Sequence, residues 1–312
     1  MKQGKVLVTG ADLAQQACAL LANYDIIYTG KTPTQESIVE LCKQHNPVAI
    51  IVRYSGVNAA AMAAAPALKV ISKHGSGTDT IDKEAAKTLG IAVVAASGVN
   101  ATSVAEHTLA LLMACAKSVP YLNHRMHQGH WDKATHKNLE LSGLTIGLVG
   151  LGAIGVRFAK MAHAMDMPII GFDPYAKNLP SYIQQVSLEA LWKKADIISF
   201  HCPLTESTHH LLNKTTLAQC KPGVIIINTA RGGLIDEAAL LEAINSKHVS
   251  GAGLDSFETE PMPQQHPFHQ QAAIVLSPHI AGVTNAAYEN MGIAAAKNIL
   301  TVLNQELTAN SY

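Results

Sequence analysis

The sequence predicts an α/β protein built from two doubly wound parallel sheets, and three observations carry that prediction. Short apolar runs alternate with helix-length amphipathic segments along the chain, the pattern of successive βαβ units. At 312 residues with 48% hydrophobic residues, the chain exceeds the roughly 250–300 residues at which single cores stop growing, so two domains are expected. One strand-to-helix junction, Leu144-Thr-Ile-Gly-Leu-Val-Gly-Leu-Gly-Ala-Ile-Gly155, carries three glycines at the spacing of a phosphate-binding turn.

In the first hundred residues, Lys5 to Val8, Asp25 to Tyr28, Val48 to Val52, Leu68 to Ser72 and Ile91 to Val94 read as strands. Helices are expected near Leu13 to Ala22, Gln35 to His45 and Lys83 to Leu89. The first strand-turn, Val8-Thr-Gly-Ala-Asp12, has a single glycine, so this unit lacks a dinucleotide turn and is suited to substrate contacts. Ligands of open α/β sheets bind beyond the carboxyl ends of the strands. Arg53 ends one strand, and Ser72-Lys-His-Gly-Ser-Gly-Thr-Asp79 follows another. Arg53 and Lys73 are therefore candidates to meet an anionic substrate. Two solvated surface cations are the equally supported alternative.

From Ala101 to Val119 the chain is alanine-rich without Gly or Pro, which predicts a long helix ending before Pro120 and linking the domains. The next segment, Tyr121 to Asn138, holds His124, His127, His130 and His136. No carboxylate or cysteine completes a ligand set at suitable spacing, and Gly129 interrupts any helix, so no metal site is expected. A polar arm or a subunit contact is.

The junction itself reads as strand, turn and helix. Gly150, Gly152 and Gly155 stand where a tight turn, a close pyrophosphate and close helix packing each exclude a side chain. The helix from about Ala153 to Met165 would aim unpaired N–H groups and its positive dipole end at that pyrophosphate. A following apolar run ends in Asp173, 23 residues beyond Gly150, near the spacing of the carboxylate that binds an adenosine ribose. Further strands at Ala195 to Phe200, Val224 to Asn228, Val249 to Leu254 and Ile274 to Leu276 complete a second sheet.

The last three of these strands end in polar groups, around Thr229-Ala-Arg231, Asp255 to Glu260 and Ser277-Pro-His279. An arginine, a carboxylate and a histidine at one cofactor edge suit hydride transfer to a 2-keto acid. Charge developing on the carbonyl oxygen needs a proton donor, His279. A carboxylate paired with the imidazole fixes its tautomer, a role assigned to Glu260, although spacing does not separate it from Glu258. Arg231 can hold the substrate carboxylate by a two-pronged contact. Asp255 is a candidate for the nicotinamide amide.

The charge balance, 23 basic against 23 acidic residues, points away from nucleic acid and anionic membrane surfaces. Five scattered cysteines without a CxxC pair argue against a disulfide scaffold or zinc knuckle. The N-terminal residues read as a strand and not a signal peptide, and no apolar run reaches the roughly 20 residues needed to span a bilayer. A cytoplasmic protein with a small-molecule substrate is expected.

On Ser103-Val-Ala-Glu-His-Thr-Leu-Ala-Leu-Leu112, Val149 to Gly155, His201-Cys-Pro-Leu-Thr205, Lys221 to Asp236, Leu254 to Pro261 and Ser277 to Gly282, the chain resembles the D-isomer-specific 2-hydroxyacid dehydrogenases over nearly its whole length. The resemblance implies NAD as cofactor and a Rossmann domain, residues 100–284, inserted in a flavodoxin-like substrate domain of residues 1–99 plus 285–312. Arg231, Glu260 and His279 would be the catalytic trio, which decides for the carboxylate before Pro261. It also implies cofactor contacts by Gly150, Gly152, Ala153, Ile154, Gly155, Asp173, Pro174, His201, Cys202, Pro203, Thr208, Thr229, Ala230, Arg231, Asp255, His279, Ala281 and Gly282. Substrate contacts would come from Arg53, Lys73, His74, Gly75, Ser76, Gly77, Arg231 and His279. The last helix, about Asn285 to Leu303, would return to the first hundred residues, and a homodimer through the cofactor domain is usual in the family.

Within the family the chain looks like the phosphoglycerate dehydrogenase branch without its regulatory domain, on Arg53 and the Lys73 to Asp79 loop. That implies interconversion of 3-phosphoglycerate and phosphohydroxypyruvate, and serine biosynthesis. Lys73 stands where that branch commonly has arginine, which keeps glyoxylate, hydroxypyruvate or another short 2-keto acid as the alternative. Asp173-Pro174-Tyr175 favours NAD over NADP. Glu260 disfavours the formate dehydrogenase relatives, which have no glutamate partner for their histidine. NAD-sensing corepressors are the alternative of another class.

Overall fold

A computed structural model of the chain describes residues 2–309. Two compact units divide it, Met1–Asn100 with Val283–Tyr312, and Ala101–Gly282.

In chain order the first unit runs β1 (Lys5–Val8), α1 (Gln15–Leu20), β2 (Asp25–Tyr28), α2 (Gln35–His45), β3 (Ala49–Val52), α3 (Ala59–Ala63), β4 (Val70–Lys73), α4 (Lys83–Thr88) and β5 (Ala92–Ala95). Its five strands are ordered β2-β1-β3-β4-β5 and every pairing is parallel, the doubly wound order with a switch point between β1 and β3. The strands are short apolar runs because both faces are covered. Val6, Val8 and Ile51 turn to one layer of helices, and Leu7, Ile50 and Val52 turn to the other. Helix α3 was not expected from its five-residue run of alanines and one methionine. Asn58 starts it by accepting the Ala61 N–H at 2.9 Å.

The second unit opens with α5 (Ala101–Ala116) and α6 (Val119–His127). Then come β6 (Ile146–Val149), α7 (Ala153–His163), β7 (Ile169–Phe172), β8 (Ile183–Gln185), α8 (Leu188–Lys194), β9 (Ile197–Phe200), α9 (Lys214–Leu217), β10 (Val224–Asn228), α10 (Glu237–Asn245), β11 (Val249–Leu254) and β12 (Ile274–Leu276). The seven strands are ordered β12-β11-β10-β9-β6-β7-β8, all parallel. Alternation along β10 divides the core, Ile225 and Ile227 packing toward α5 and α7 and Ile226 toward the opposite face. A final helix, α11 (Asn285–Ala309), belongs to the first unit. Its Ala295, Ala296 and Ile299 pack with Val6, Ala17 and Val70.

Helix α5 opens the second unit, packed on α7, β10, β11 and β12. The reading of its C-terminal end is corrected. The helix ends at Ala116, and after Ser118 in the left-handed region (φ 49°) a new helix, α6, begins with Pro120 in its first turn. A missing N–H costs nothing there, so the proline starts a helix instead of only stopping one. The expected polar arm is thus helical up to His127, and Gly129 (φ 83°) follows its end. Among the described residues, no helix is long and apolar enough to cross a membrane.

Candidate active site

The glycine turn after β6 separates into two kinds of position. A Cβ on Gly150 (φ 100°) would lie 2.6 Å from the Cys202 nitrogen and the His201 carbonyl carbon, and one on Gly155 would lie 2.2 Å from the Gly150 oxygen. Those two glycines let the turn, the start of α7 and the end of β9 touch. At Gly152 nothing stands within 4 Å of the added carbon. Gly152 is also the N-cap of α7, with no side-chain cap, so the first N–H groups of an eleven-residue helix point past an open face. That cradle fits a dinucleotide pyrophosphate. Ala153 and Ile154 form the first turn beside it.

Asp173 follows β7, the neighbour of β6. Its Oδ2 accepts the Leu151 N–H at 2.9 Å and its Oδ1 accepts the Tyr175 N–H at 2.8 Å. The carboxylate is therefore fixed against the glycine turn, with Pro174 between Asp173 and Tyr175 in the chain. His201 follows β9 and packs on Phe158, ring centroids 5.5 Å apart. Burial pushes its imidazole down to about 3, so it is neutral at working pH. Beside it Cys202 is pushed up to about 11, first by burial. Thr208 accepts the Thr205 N–H at 2.7 Å and donates to the Pro203 oxygen at 2.8 Å, closing the loop after β9.

The carboxyl ends of β10, β11 and β12 lie side by side. Asn228 pairs with Leu254 and Leu254 with Leu276, so Thr229, Asp255 and Ser277 leave the sheet at one level. Asn228 locks the first end, accepting the Ala230 N–H at 3.0 Å and donating to the Arg231 oxygen at 2.8 Å. Asp255, 1% exposed, locks the third. Its Oδ1 accepts from the Ser277 hydroxyl (2.6 Å) and the Ile280 N–H (2.9 Å), and its Oδ2 from the Ala281 N–H (2.8 Å). Between those anchors His279 adopts φ 51°, a left-handed conformation that costs a residue with a Cβ on the order of 1 kcal/mol. Asp255, expected at the nicotinamide amide, is thus engaged in holding the histidine turn.

His279 Nδ1 lies 2.7 Å from Glu260 Oε2, while Glu260 Oε1 accepts the Phe257 N–H at 3.0 Å. The competing Glu258 turns elsewhere, with Oε1 2.7 Å from His210 Nε2. Burial raises the Glu260 carboxyl, but the hydrogen bonds from His279 and Phe257 and the charges of His279 and Arg231 outweigh it, leaving it below its ordinary value. An ionised carboxylate therefore faces Nδ1, and Nε2 is the ring nitrogen that Glu260 does not engage. Arg231 Nη1 donates to the Ala230 oxygen at 2.7 Å.

Sequence reasoning assigned no role to the polar side chains of α5. Ser103 donates to the Ala281 oxygen at 2.6 Å, His107 Nε2 lies 2.9 Å from Ser277 Oγ, and Thr108 Oγ1 lies 2.8 Å from Thr229 Oγ1. Ser103 and Thr108 are buried on a mostly apolar helix, and that buried polarity was the available signal. Gly282 follows Ala281 at the end of this unit.

In the first unit, Arg53 is not a solvated surface cation, one of the two alternatives the sequence left open. Its side chain is 9% exposed and ion-paired with Asp12, and Lys73 Nζ donates to the Arg53 oxygen at 3.3 Å. His74 is buried, with its ring 5.6 Å from that of Tyr288. Burial first, then the charges of Arg53 and Lys73, push it down to about 4, so it is neutral near pH 7. Gly75 (φ 145°) makes the turn that follows, and Ser76 Oγ receives a long contact from the Gly98 N–H at 3.4 Å, closing the loop before Gly77. Among the described residues, no group of three or more His, Cys, Asp or Glu could hold a metal ion.

Residues 109–281 match the family model of the D-isomer specific 2-hydroxyacid dehydrogenase NAD-binding domain. The chain is 40% identical over 258 residues to D-3-phosphoglycerate dehydrogenase of Mycobacterium tuberculosis, a match covering 82% of this chain and 49% of that one. It is 42% identical over 238 residues to hydroxypyruvate reductase of Thermotoga maritima, covering 76% of this chain and 78% of that one. The chain thus spans about half the length of the mycobacterial relative. Among solved structures, the TT0316 protein of Thermus thermophilus superposes with a TM-score of 0.88 at 36% identity, covering 96% of this chain and 97% of that one.

Proposed function

The chain belongs to the D-isomer-specific 2-hydroxyacid dehydrogenase family, and we propose that it interconverts a D-2-hydroxyacid and its 2-keto acid with NAD(H). The observation that carries this reading is the 2.7 Å pairing of His279 Nδ1 with Glu260 on the same sheet edge as Arg231 and the open glycine cradle. NADH, when bound, supplies the hydride that the carbonyl carbon receives. His279 Nε2 donates the proton that neutralises the carbonyl oxygen, and takes it back in the oxidative direction. Glu260 fixes the ring and steadies its charge during that exchange. Arg231 holds the substrate carboxylate through paired N–H donors, and its charge also draws electrons from the adjacent carbonyl. The loop Lys73, His74, Gly75, Ser76 and Gly77 is proposed to supply further contacts to the substrate.

The candidate substrates are 3-phosphoglycerate with phosphohydroxypyruvate, which would place the protein in serine biosynthesis, and short 2-keto acids such as hydroxypyruvate or glyoxylate. Names among the relatives include both a phosphoglycerate dehydrogenase and a hydroxypyruvate reductase. A cytoplasmic homodimer is proposed with either. The deciding experiment is NADH oxidation against phosphohydroxypyruvate, hydroxypyruvate, glyoxylate and pyruvate. Turnover of at least one is expected. NADH binding without turnover of any 2-keto acid would replace this reading with that of an NAD-sensing binding protein.

A further inference from the structure

Beyond the carboxyl edge of the first sheet, side chains from three distant stretches of the chain close around one guanidinium. Arg53 leaves the end of β3, Asp12 follows β1, and Tyr288 stands in the first turn of α11. Arg53 Nη1 donates to the Asp12 backbone oxygen at 2.5 Å and makes a charge-assisted contact with Asp12 Oδ1. The Tyr288 hydroxyl donates to the same Oδ1 at 2.8 Å. The guanidinium carbon lies 5.1 Å from the centroid of the Tyr54 ring and 4.9 Å from that of Tyr288, so aromatic rings accompany it as well. Its shaft crosses Gly10, where a Cβ would stand 3.2 Å from Arg53 Cδ.

The two charges differ in exposure. The Arg53 side chain is 9% exposed and that of Asp12 is 66% exposed. An anion approaching this edge meets an open carboxylate first, and the cation behind it already has an ion partner. The hydrogen bond from Tyr288, then that from Arg53, hold the Asp12 carboxyl below its usual range, so it stays charged at neutral pH.

Resting on the oxidoreductase reading above, we infer that Asp12 is a specificity-determining residue. By keeping Arg53 in an ion pair within the chain and presenting a carboxylate at the sheet edge, it makes the protein select 2-keto acids with an uncharged far end over those carrying a distal phosphate. The device is repulsive as well as sequestering, and specificity commonly uses both.

The test compares kcat/KM for phosphohydroxypyruvate and hydroxypyruvate, which differ only in the phosphate, in the wild-type protein and in Asp12→Ala and Asp12→Asn. The wild type is expected to favour hydroxypyruvate. The ratio should move toward the phosphorylated substrate by about tenfold in Asp12→Ala, and in the same direction by less in Asp12→Asn, which keeps an acceptor for Tyr288 and Arg53. A wild type that favours phosphohydroxypyruvate, or a ratio unmoved in both variants, overturns the inference. A second readout is independent of catalysis: thermal protection of the full chain by inorganic phosphate, with NADH saturating to occupy the glycine cradle. Phosphate should protect Asp12→Ala and not the wild type; equal protection of both overturns the inference. Failure of the wild type to turn over any 2-keto acid refutes the oxidoreductase reading alone, because the phosphate titration still reports whether Asp12 blocks Arg53.

Discussion

Substituting alanine at Gly152 and at Gly155 should have opposite consequences although the two glycines share one turn. Gly152 has φ −75° and ψ −163°, values open to alanine, and nothing within 4 Å of the added carbon. Gly152→Ala should therefore fold as the wild type does. Its methyl group would occupy the face where the pyrophosphate approaches, pushing the phosphate oxygens outward by about 1.5 Å and beyond hydrogen-bond range of the first N–H groups of α7. Losing one to two charge-assisted bonds costs about 3 kcal/mol, roughly 100-fold in the NADH dissociation constant. Gly155→Ala instead puts a carbon 2.2 Å from the Gly150 oxygen, a backbone atom that cannot swing aside. Overpacking of that kind costs at least ~3 kcal/mol and should lower the unfolding midpoint of the second unit by roughly 6–12 °C. NADH fluorescence titration and thermal unfolding on both variants check the pair. If Gly152→Ala binds NADH as tightly as the wild type, the open face is not the cradle.

Three further outcomes follow from the site and its surroundings. Glu260→Gln removes the ionised partner of His279, so the pH above which keto-acid reduction slows should fall by about one unit; an unshifted kcat/KM profile would leave Glu260 without its assigned role. Asp173→Ala should raise the NADP-to-NAD preference about tenfold by removing a like charge from the 2′-phosphate position, and a ratio equal to the wild type's would withdraw that assignment. His74, pushed down to about 4 in the folded chain against an ordinary 6.5, is protonated first in the unfolded state as pH drops. Its contribution is therefore complete above pH ~6.5 and is lost between there and about pH 4, up to ~3 kcal/mol in all. Urea unfolding of His74→Leu should show a shallower loss of stability over that window, and an identical slope would refute the burial argument.

What was legible in the sequence was what depends on neighbours along the chain. The glycine turn is local, and β6, α7 and β7 lie where the apolar runs and glycines put them, within one or two residues. The all-parallel order of both sheets followed from alternation, because a strand buried on both faces needs an uninterrupted apolar run. Elements without such a signal were missed. Helix α3 is a five-residue run around Met62, and β8 at the edge of its sheet has two exposed glutamines out of three residues. Pro120 was read as a stop because the sequence gives the same letter to a proline that ends one helix and a proline in the first turn of the next.

The chemistry divides along the same line. Glu258 and Glu260 lie two residues apart and have nearly the same spacing to everything else, so spacing does not separate them, whereas the fold turns Glu260 to His279 and Glu258 to His210. The left-handed turn at His279 is held by Asp255, 24 residues away, and the Ala281 end of that turn by Ser103, which contacts it across a sequence separation of 178. Arg53 is the sharpest case. As a sequence feature it is a cation at a strand end, the right place for an anionic substrate, and nothing within several residues contradicts that. Its actual partners are Asp12, 41 residues earlier, and the ring of Tyr288 on the returning helix. A residue's type and position on the sheet establish which ligands it can reach, but its charge is available to them only if the rest of the chain has not already paired it. In this chain that condition turns on Asp12, one exposed carboxylate that accepts from both Arg53 and Tyr288.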